Sequence, residues 1–422
     1  MIKQILKIIW KQRSSNGWIF TELLIVVAVL WGMIDSLLVD TYTYYSPMGF
    51  DIENVYKVNV GKMDATTPGF VQDSIHNTTD GEDLVRLAEN IRKTPQVEEV
   101  SLAAIACPYT WSNSWSSLIR ADADTAEKAE SYQRFEVSPS YFDVFRMKTS
   151  TGEPLRKAVE ENSGDLVISA DMEALFFEGL PGKGQKVKWS STNTESMDIA
   201  AVSTPIRQTE YAKSRPCFYL LLRTEQDMVE SADGRKAENM DCLIRMKDGF
   251  RAEDMERFLQ DMSDRLTVNN IYVSSVTSLK DLRSEMLKSR QDNMKKKLAL
   301  VAFMLVNVFF GIIGTFWLRT QYRRGEMGLR TALGSSRSQL KRFLDVEGLC
   351  LLAFTIPFVL LFIANMLYFD LPDTVRLPFT WWRFTIAFGG AYLLMAVMIW
   401  IGIWFPAKRI AKMNPADALH YE

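Results

Sequence analysis

The chain has 422 residues, a formal net charge of −2, 24% charged and 47% hydrophobic residues, and only two histidines. Length alone allows two or three domains, and a charge balance near zero says nothing by itself about nucleic acid. The histidine count is more restrictive, because His76 and His420 fall on opposite sides of a membrane in the topology read below, so neither a His-based metal site nor a Ser-His-Asp relay can be assembled within one molecule.

The apolar residues are gathered into four blocks, and the charges fill the long stretch between the first and second. The first block runs from Trp18 to about Val39, interrupted by Glu22 and Asp35. It is long enough for a membrane-spanning helix, which needs about 20 apolar residues. It lacks a small-x-small cleavage site, so an uncleaved anchor is expected rather than a signal peptide. Glu22 is the acid that sits a full turn inside a span. Such an acid is a functional candidate by default, and near an interface it can equally reach water.

Between the first and second blocks the pattern alternates strand and helix. "NVYKVNV" (54–60) places Tyr56, Val58 and Val60 on one face, as a half-buried strand does. "EDLVRLAENIRKTP" then sets Leu84, Leu87, Ala88 and Ile91 at helical spacing before Pro95. "DLVISADMEALFF" (165–177) repeats strand then helix, and "PGKGQKVKW" reads as a turn entering a strand. "CFYLLLR" and "CLIRM" are further strands, followed by a helix from Ala252 with Met255, Phe258, Leu259, Met262 and Leu266 on one stripe. Cys217 and Cys242 fall in those two strands, and if one disulfide forms they are the expected pair. "LKDLRSEMLKSRQDNMKKK" (279–297) has neither Gly nor Pro and predicts a charged helix running without a break into the second block, as a stalk.

The remaining blocks are Leu298–Leu318, Val346–Phe369 and Trp381–Phe405. Arg383, near the start of the last, is expected to snorkel to the headgroups beside Trp381 and Trp382. Lys3, Lys7, Lys11 and Arg13 precede the first span; Arg319, Arg323, Arg324, Arg330, Arg337, Lys341 and Arg342 lie between the second and third; Lys408, Arg409 and Lys412 follow the fourth. By the positive-inside rule these segments are cytoplasmic and the long charged region is outside. Lys295, Lys296 and Lys297 run against that rule but are outnumbered. The fold class expected is therefore α+β: a four-helix transmembrane domain with a large mixed α/β extracytoplasmic domain inserted between spans 1 and 2.

The segment joining the second and third spans reads as two helices. Residues 324–333 favour helix, with Glu326 and Arg330 one turn apart and Gly334 where a helix C-terminus prefers glycine. Ser336 and Gln339 then have capping-box spacing for a second helix, which Leu340, Phe343 and Leu344 lead into the third span. The first helix carries an apolar stripe of Leu329, Ala332 and Leu333, and its basic residues would suit anionic membrane lipids. No G-x-x-x-x-G-K-[ST] phosphate-binding loop is present, and "GLPGKGQK" (179–186) reads as a turn.

"RRGEMGLRTALGSSRSQLKRFLDVEGL" resembles the segment after the second span of FtsX/MacB-type ABC permeases, where E-x-G-x-R-x-A-L-G-A-s-R recurs. Glu326, Gly328, Arg330, Ala332, Leu333, Gly334 and Arg337 occupy those positions, with Ser335 in place of the usual alanine. The closing "FPAKRIAKMNPADALHYE" is similar to the family's C-terminal pattern, with His420 in place of the common arginine, and "VSPSYFDVFRMKTSTGEPL" resembles its periplasmic signatures. The resemblance implies three domains: residues 1–40 with the first span, 41–294 as a MacB-like periplasmic core domain, and 295–422 as an FtsX-like domain with spans 2–4 and the cytoplasmic C-terminus. It implies that Arg324, Glu326, Leu329, Arg330, Leu333, Gly334 and Arg337 form a coupling helix that docks on an ABC-type ATPase subunit. ATP would then act through the partner, with no cofactor bound by this chain and no nucleic acid among its partners. The other implied partners are a second copy or sister permease, membrane lipids, and a periplasmic adaptor or outer-membrane component. The function implied is an inner-membrane permease that couples ATP hydrolysis to motion of its outer domain for export or extraction of a substrate. The alternative is an FtsX-like transmitter that regulates a periplasmic enzyme.

Overall fold

The computed structural model describes residues 7, 9–11, 13–72, 75, 77–123, 130–190, 193–322 and 335–411. In chain order its main elements are α1 (Arg13–Tyr45), β1 (Val55–Lys62), α2 (Asp80–Arg92), β2 (Val97–Ala104), β3 (Trp115–Arg120), β4 (Glu130–Val137), α3 (Tyr141–Val144), α4 (Leu155–Glu160), β5 (Leu166–Ser169), α5 (Ala170–Phe177), β6 (Lys186–Lys188) and β7 (Met197–Ser203). There follow β8 (Cys217–Leu221), α6 (Glu225–Arg235), β9 (Asp241–Met246), α7 (Met255–Asp261), β10 (Thr267–Val268), β11 (Ile271–Ser278), α8 (Leu279–Tyr322), α9 (Arg337–Phe354), α10 (Ile356–Tyr368) and α11 (Trp381–Ala411). Two compact units result, one of residues 46–289 and one of residues 1–45 with 290–422.

In the unit of residues 46–289 the strands run β10-β11-β1-β9-β2-β4 and continue β3-β6-β7-β5-β8. Because β8 also pairs in parallel with β4, through Gln133↔Cys217 to Val137↔Leu221, the last six strands close into a ring. Every strand of that ring sends a buried residue to one cluster: Leu118, Tyr132, Leu166 with Ile168, Val187, Ile199 and Phe218. The period-two alternation of strands is what permits this, since Cys217 and Tyr219, the neighbours of Phe218, lie in a different cluster with Phe142 and Phe145. Ser169 ends β5 and caps α5, its hydroxyl accepting from the Met172 amide at 3.4 Å and the Cys217 amide at 3.1 Å.

The open half of the sheet is covered by α2. Thr79 opens this helix with a capping box to Glu82, satisfying two otherwise orphan amides. Its stripe of Leu84, Leu87, Ala88 and Ile91 is buried against Tyr56, Val58 and Val60 of β1, the two faces expected from the sequence. Each fully buried leucine or isoleucine contributes about 1.5–3 kcal/mol. Met255, Phe258 and Met262 are buried in the same cluster, with Leu259 and Leu266 packed against it, as the spacing required.

The disulfide expectation is overturned. Cys217 and Cys242 are both free and buried. In the sheet order β9-β2-β4-β8 their strands stand three spacings apart, roughly 14 Å at the usual interval between strands, whereas bridged cysteines need Cα atoms within about 7 Å.

Among the described residues four helical stretches are long and apolar enough to cross a membrane, Asn16–Tyr45, Leu279–Thr315, Lys341–Tyr368 and Trp381–Trp404, and all but the first residues of Leu279–Thr315 belong to the second unit. Leu23, Val27, Leu30 and Trp31 of α1 share a core with Leu344, Leu351 and Leu352 of α9, Val359 and Ile363 of α10, and Ala391, Met395 and Ile399 of α11. Two features differ from the sequence reading. The third span is broken at Thr355, between α9 and α10, because Pro357 cannot donate to the Ala353 carbonyl. Thr355 closes the gap: its hydroxyl lies 2.6 Å from the Leu352 carbonyl and 3.0 Å from the Tyr392 hydroxyl of α11. Arg383 also does not snorkel; it is 0% exposed.

Candidate functional site

The predicted coupling segment falls almost entirely outside the described residues. Arg324, Glu326, Leu329, Arg330, Leu333 and Gly334 lie there, and Arg337 is described only as the first residue of α9. The flanks are described. The helix α8 reaches Tyr322 on one side, and on the other Ser336 caps α9 as the sequence indicated, its amide donating to Gln339 Oε1 at 3.0 Å and its hydroxyl accepting from the Gln339 amide at 3.3 Å. Phe343 and Leu344 then enter the bundle core one turn later, and Lys341 lies over the Trp400 ring of α11 at 5.3 Å. The start of α9 is thus fixed by a cap on one side and by buried apolar residues on the other.

Glu22 is half-buried on α1 and faces α8 where that helix has no side chain: a Cβ at Gly311 would lie 2.7 Å from Glu22 Oε1. Thr315 donates its hydroxyl back to the Gly311 carbonyl at 2.9 Å. A glycine and a back-bonded threonine therefore leave room for one carboxylate between two helices.

The larger polar construction is at the other end of the same helices. Arg383 of α11 holds Asp35 of α1 in a two-point pair, Nε to Oδ1 at 2.8 Å and Nη2 to Oδ2 at 2.6 Å. Its remaining nitrogen donates to the Asp373 carbonyl at 2.9 Å and to the Leu377 carbonyl. Such a fork-to-fork pair is among the strongest charge-assisted contacts. Removing one partner would leave an unpaired buried charge at a cost of about 3–5 kcal/mol.

One turn and a half further along α1, Asp40 gathers three cations. Arg376 donates to Oδ1 at 2.6 Å, Lys297 of α8 reaches Oδ2 at 3.0 Å, and Arg290 of α8 lies 3.6 Å from Oδ1. Lys297 also donates to the Ser36 hydroxyl at 3.0 Å. Arg376 completes the set by binding Asp373 through Nε at 2.6 Å. Burial alone would raise the Asp373 carboxyl, but the Arg376 amide and guanidinium outweigh it and hold the carboxyl below the usual range. Lys297, one of the lysines that ran against the positive-inside pattern, is therefore neutralised by a partner on α1.

Sequence reasoning singled out Glu22, named Asp35 and Arg383 without pairing them, and passed over Asp40 and Arg376. The signal was present: an acid inside the first apolar block and a base inside the fourth are each costly alone and affordable together. None of these groups is arranged as a nucleophile with a base, and among the described residues no group of three or more His, Cys, Asp or Glu side chains could hold a metal. The arrangement fixes helices to one another.

Residues 298–415 match the family described as FtsX-like permease C-terminal. The macrolide export ATP-binding/permease protein MacB 1 of Yersinia pestis is 24% identical over 291 residues, covering 68% of this chain and 43% of that protein. The chain is FtsX/MacB-like. A second relative, the macrolide export ATP-binding/permease protein MacB of Neisseria gonorrhoeae, is 22% identical over 295 residues, with the same coverage. This FtsX/MacB-like chain thus spans under half the length of the curated relatives it matches. Among solved structures, a domain of a putative permease from Porphyromonas gingivalis aligns with 54% of the chain at 15% identity and a TM-score of 0.35. The periplasmic region of MacB from Actinobacillus actinomycetemcomitans aligns with 57% at 12% identity and a TM-score of 0.33. The alignments cover 92% and 94% of the solved domains, respectively.

Proposed function

We propose that this chain is the permease subunit of an ABC-type transporter in an inner membrane, with residues 46–289 in the periplasm and an ATPase subunit docked on the segment between α8 and α9. The observation that carries the reading is the FtsX-like match over residues 298–415, which encloses that segment. The curated relatives named above are ATP-binding/permease proteins, so a permease of this kind works with an ATP-binding part. ATP binding and hydrolysis belong to that part. The chain's own residues supply the docking stripe of Leu329 and Leu333, the capped start of α9 that turns the segment into the bundle, and α8 as the moving element.

Two features support α8 in that role. It is an unbroken helix from Leu279 to Tyr322, so a push at one end travels along hydrogen-bonded backbone rather than through a loop. Its membrane stretch is also poorly packed: 6% of it is buried within the chain, against 33–39% for the other three spans. Phe303, Val306 and Phe310 stay exposed, a face for lipid and for a second permease chain. Displacement of α8 would drive the outer unit to export or extract a substrate.

The test is copurification in mild detergent. Leu333→Asp places a charge in an apolar contact, at a cost of a few kcal/mol in docking, and should strip the ATPase from the complex. Neutralising Arg323, Arg324 and Arg337 should do less. Normal ATPase recovery with Leu333→Asp, and loss only with the neutralised set, would mean that the segment rests on anionic lipid instead.

A further inference from the structure

A loop in the unit of residues 46–289 is held in a conformation that its own residues disfavour. Ile105 has φ of +56° and Tyr109 φ of +59°. The left-handed region is unusual for any residue other than glycine, and for a β-branched one it is a genuine outlier that persists only where surrounding contacts impose it.

Those contacts can be named. Asp241 Oδ2 accepts from the amides of Ala106 and Cys107, both at 3.0 Å, while its Oδ1 accepts from Lys57 at 2.7 Å. The Tyr141 hydroxyl donates to the Ala106 carbonyl at 2.7 Å. These fix the first half of the loop to the sheet. The second half depends on a different group: the Tyr109 hydroxyl donates to Glu210 Oε1 at 3.0 Å, and the same oxygen accepts from Arg283 Nε. Arg283 lies in the second turn of α8. Just past the loop's second strained residue, Trp111 projects into solvent, 87% exposed.

We propose that the Tyr109–Glu210–Arg283 contact is a strap through which the first turns of α8 set the conformation of residues 105–114 and hence the presentation of Trp111. Tyr109 and Glu210 are both buried. Burial, reinforced by the negative charge of Glu210, holds the Tyr109 hydroxyl well above its ordinary range, so it stays a donor. One carboxylate oxygen serves both the loop and the helix. Withdrawing Arg283 removes the ion-pair partner that positions the buried Glu210 carboxylate, and a carboxylate drawn after Arg283 or toward water takes with it the contact that keeps Tyr109 in the left-handed region. The strap goes beyond the transport reading, since it operates for any displacement of α8, whether or not nucleotide is the cause.

The test is amide hydrogen exchange on the full chain in detergent, comparing wild type with Arg283→Gln and with Tyr109→Phe, which removes only the hydroxyl. The strap predicts that peptides covering residues 105–114 exchange on the order of tenfold faster in both variants, while peptides from α2 keep their protection. A silent Arg283→Gln would overturn the proposal even if Tyr109→Phe loosened the loop, because the helix would then have no hold on it. Equal acceleration in α2 would also overturn it, showing a general loss of stability instead of a local release.

Discussion

Within the membrane unit, α1 and α11 are tied together by a buried two-point ion pair and a shared apolar core, whereas α8 meets α1 through Lys297 and Arg290 on Asp40, sends Ile312 into that core, and leaves its apolar stretch 6% buried against 33–39% for the other three. The difference is one of energetic depth. Sliding α11 past α1 would expose a desolvated charge and open a core of side chains from α1, α9, α10 and α11. Sliding α8 withdraws Lys297 and Arg290, each about half exposed, from the buried Asp40, which keeps Arg376 as a partner, and disturbs a single side of apolar packing. That distribution of contacts suits the proposed movement of α8 against the other three helices.

The largest effect should come from breaking the fixed half. Arg383→Ala leaves Asp35 buried without its partner and should lower stability by about 3–5 kcal/mol, read as a fall in the thermal unfolding midpoint of the purified chain. Replacing both residues with apolar ones, Asp35→Leu with Arg383→Met, should recover most of the loss, because the cost lies in the orphaned charge more than in the pair. A single variant as stable as wild type would remove the claim that α1 and α11 are locked.

A smaller effect is expected on the loose half. Gly311→Ala puts a Cβ 2.7 Å from Glu22 Oε1, but the obstructing atom is the end of a flexible side chain and α8 has room to shift. The change should cost no more than about 1 kcal/mol. A loss comparable with that of Arg383→Ala would show that α8 is as tightly seated as its neighbours.

Much of the fold was legible in the sequence because periodicity reports burial. The alternation through Tyr56, Val58 and Val60, the stripe of Leu84, Leu87 and Ile91, and the Ser336–Gln339 cap all sit where spacing put them. The break at Thr355 was also written in the chain, as Pro357, but hydropathy summed over a block does not see one missing amide. Closure of the six-strand ring was not legible: the β4–β8 pairing joins residues about eighty apart with no local signature. The Cys217–Cys242 expectation failed for the same reason, since two cysteines in strands say nothing about how many strands lie between them. Arg383 was misread because snorkelling was considered for one helix alone, while its partner Asp35 lay in the first apolar block.

The central claim, that α8 moves against a fixed bundle, is tested most directly by paired spin labels on the chain purified with the proposed ATPase subunit. One pair would be placed at the exposed positions Phe303 of α8 and Leu393 of α11, and a second at Leu361 of α10 and Leu393. Between nucleotide-free and ATP-trapped states, the first distance should change by more than about 2 Å, the scale of helix shifts in switching proteins, and the second should stay constant. If neither distance changes, or both change together, α8 is not the moving element.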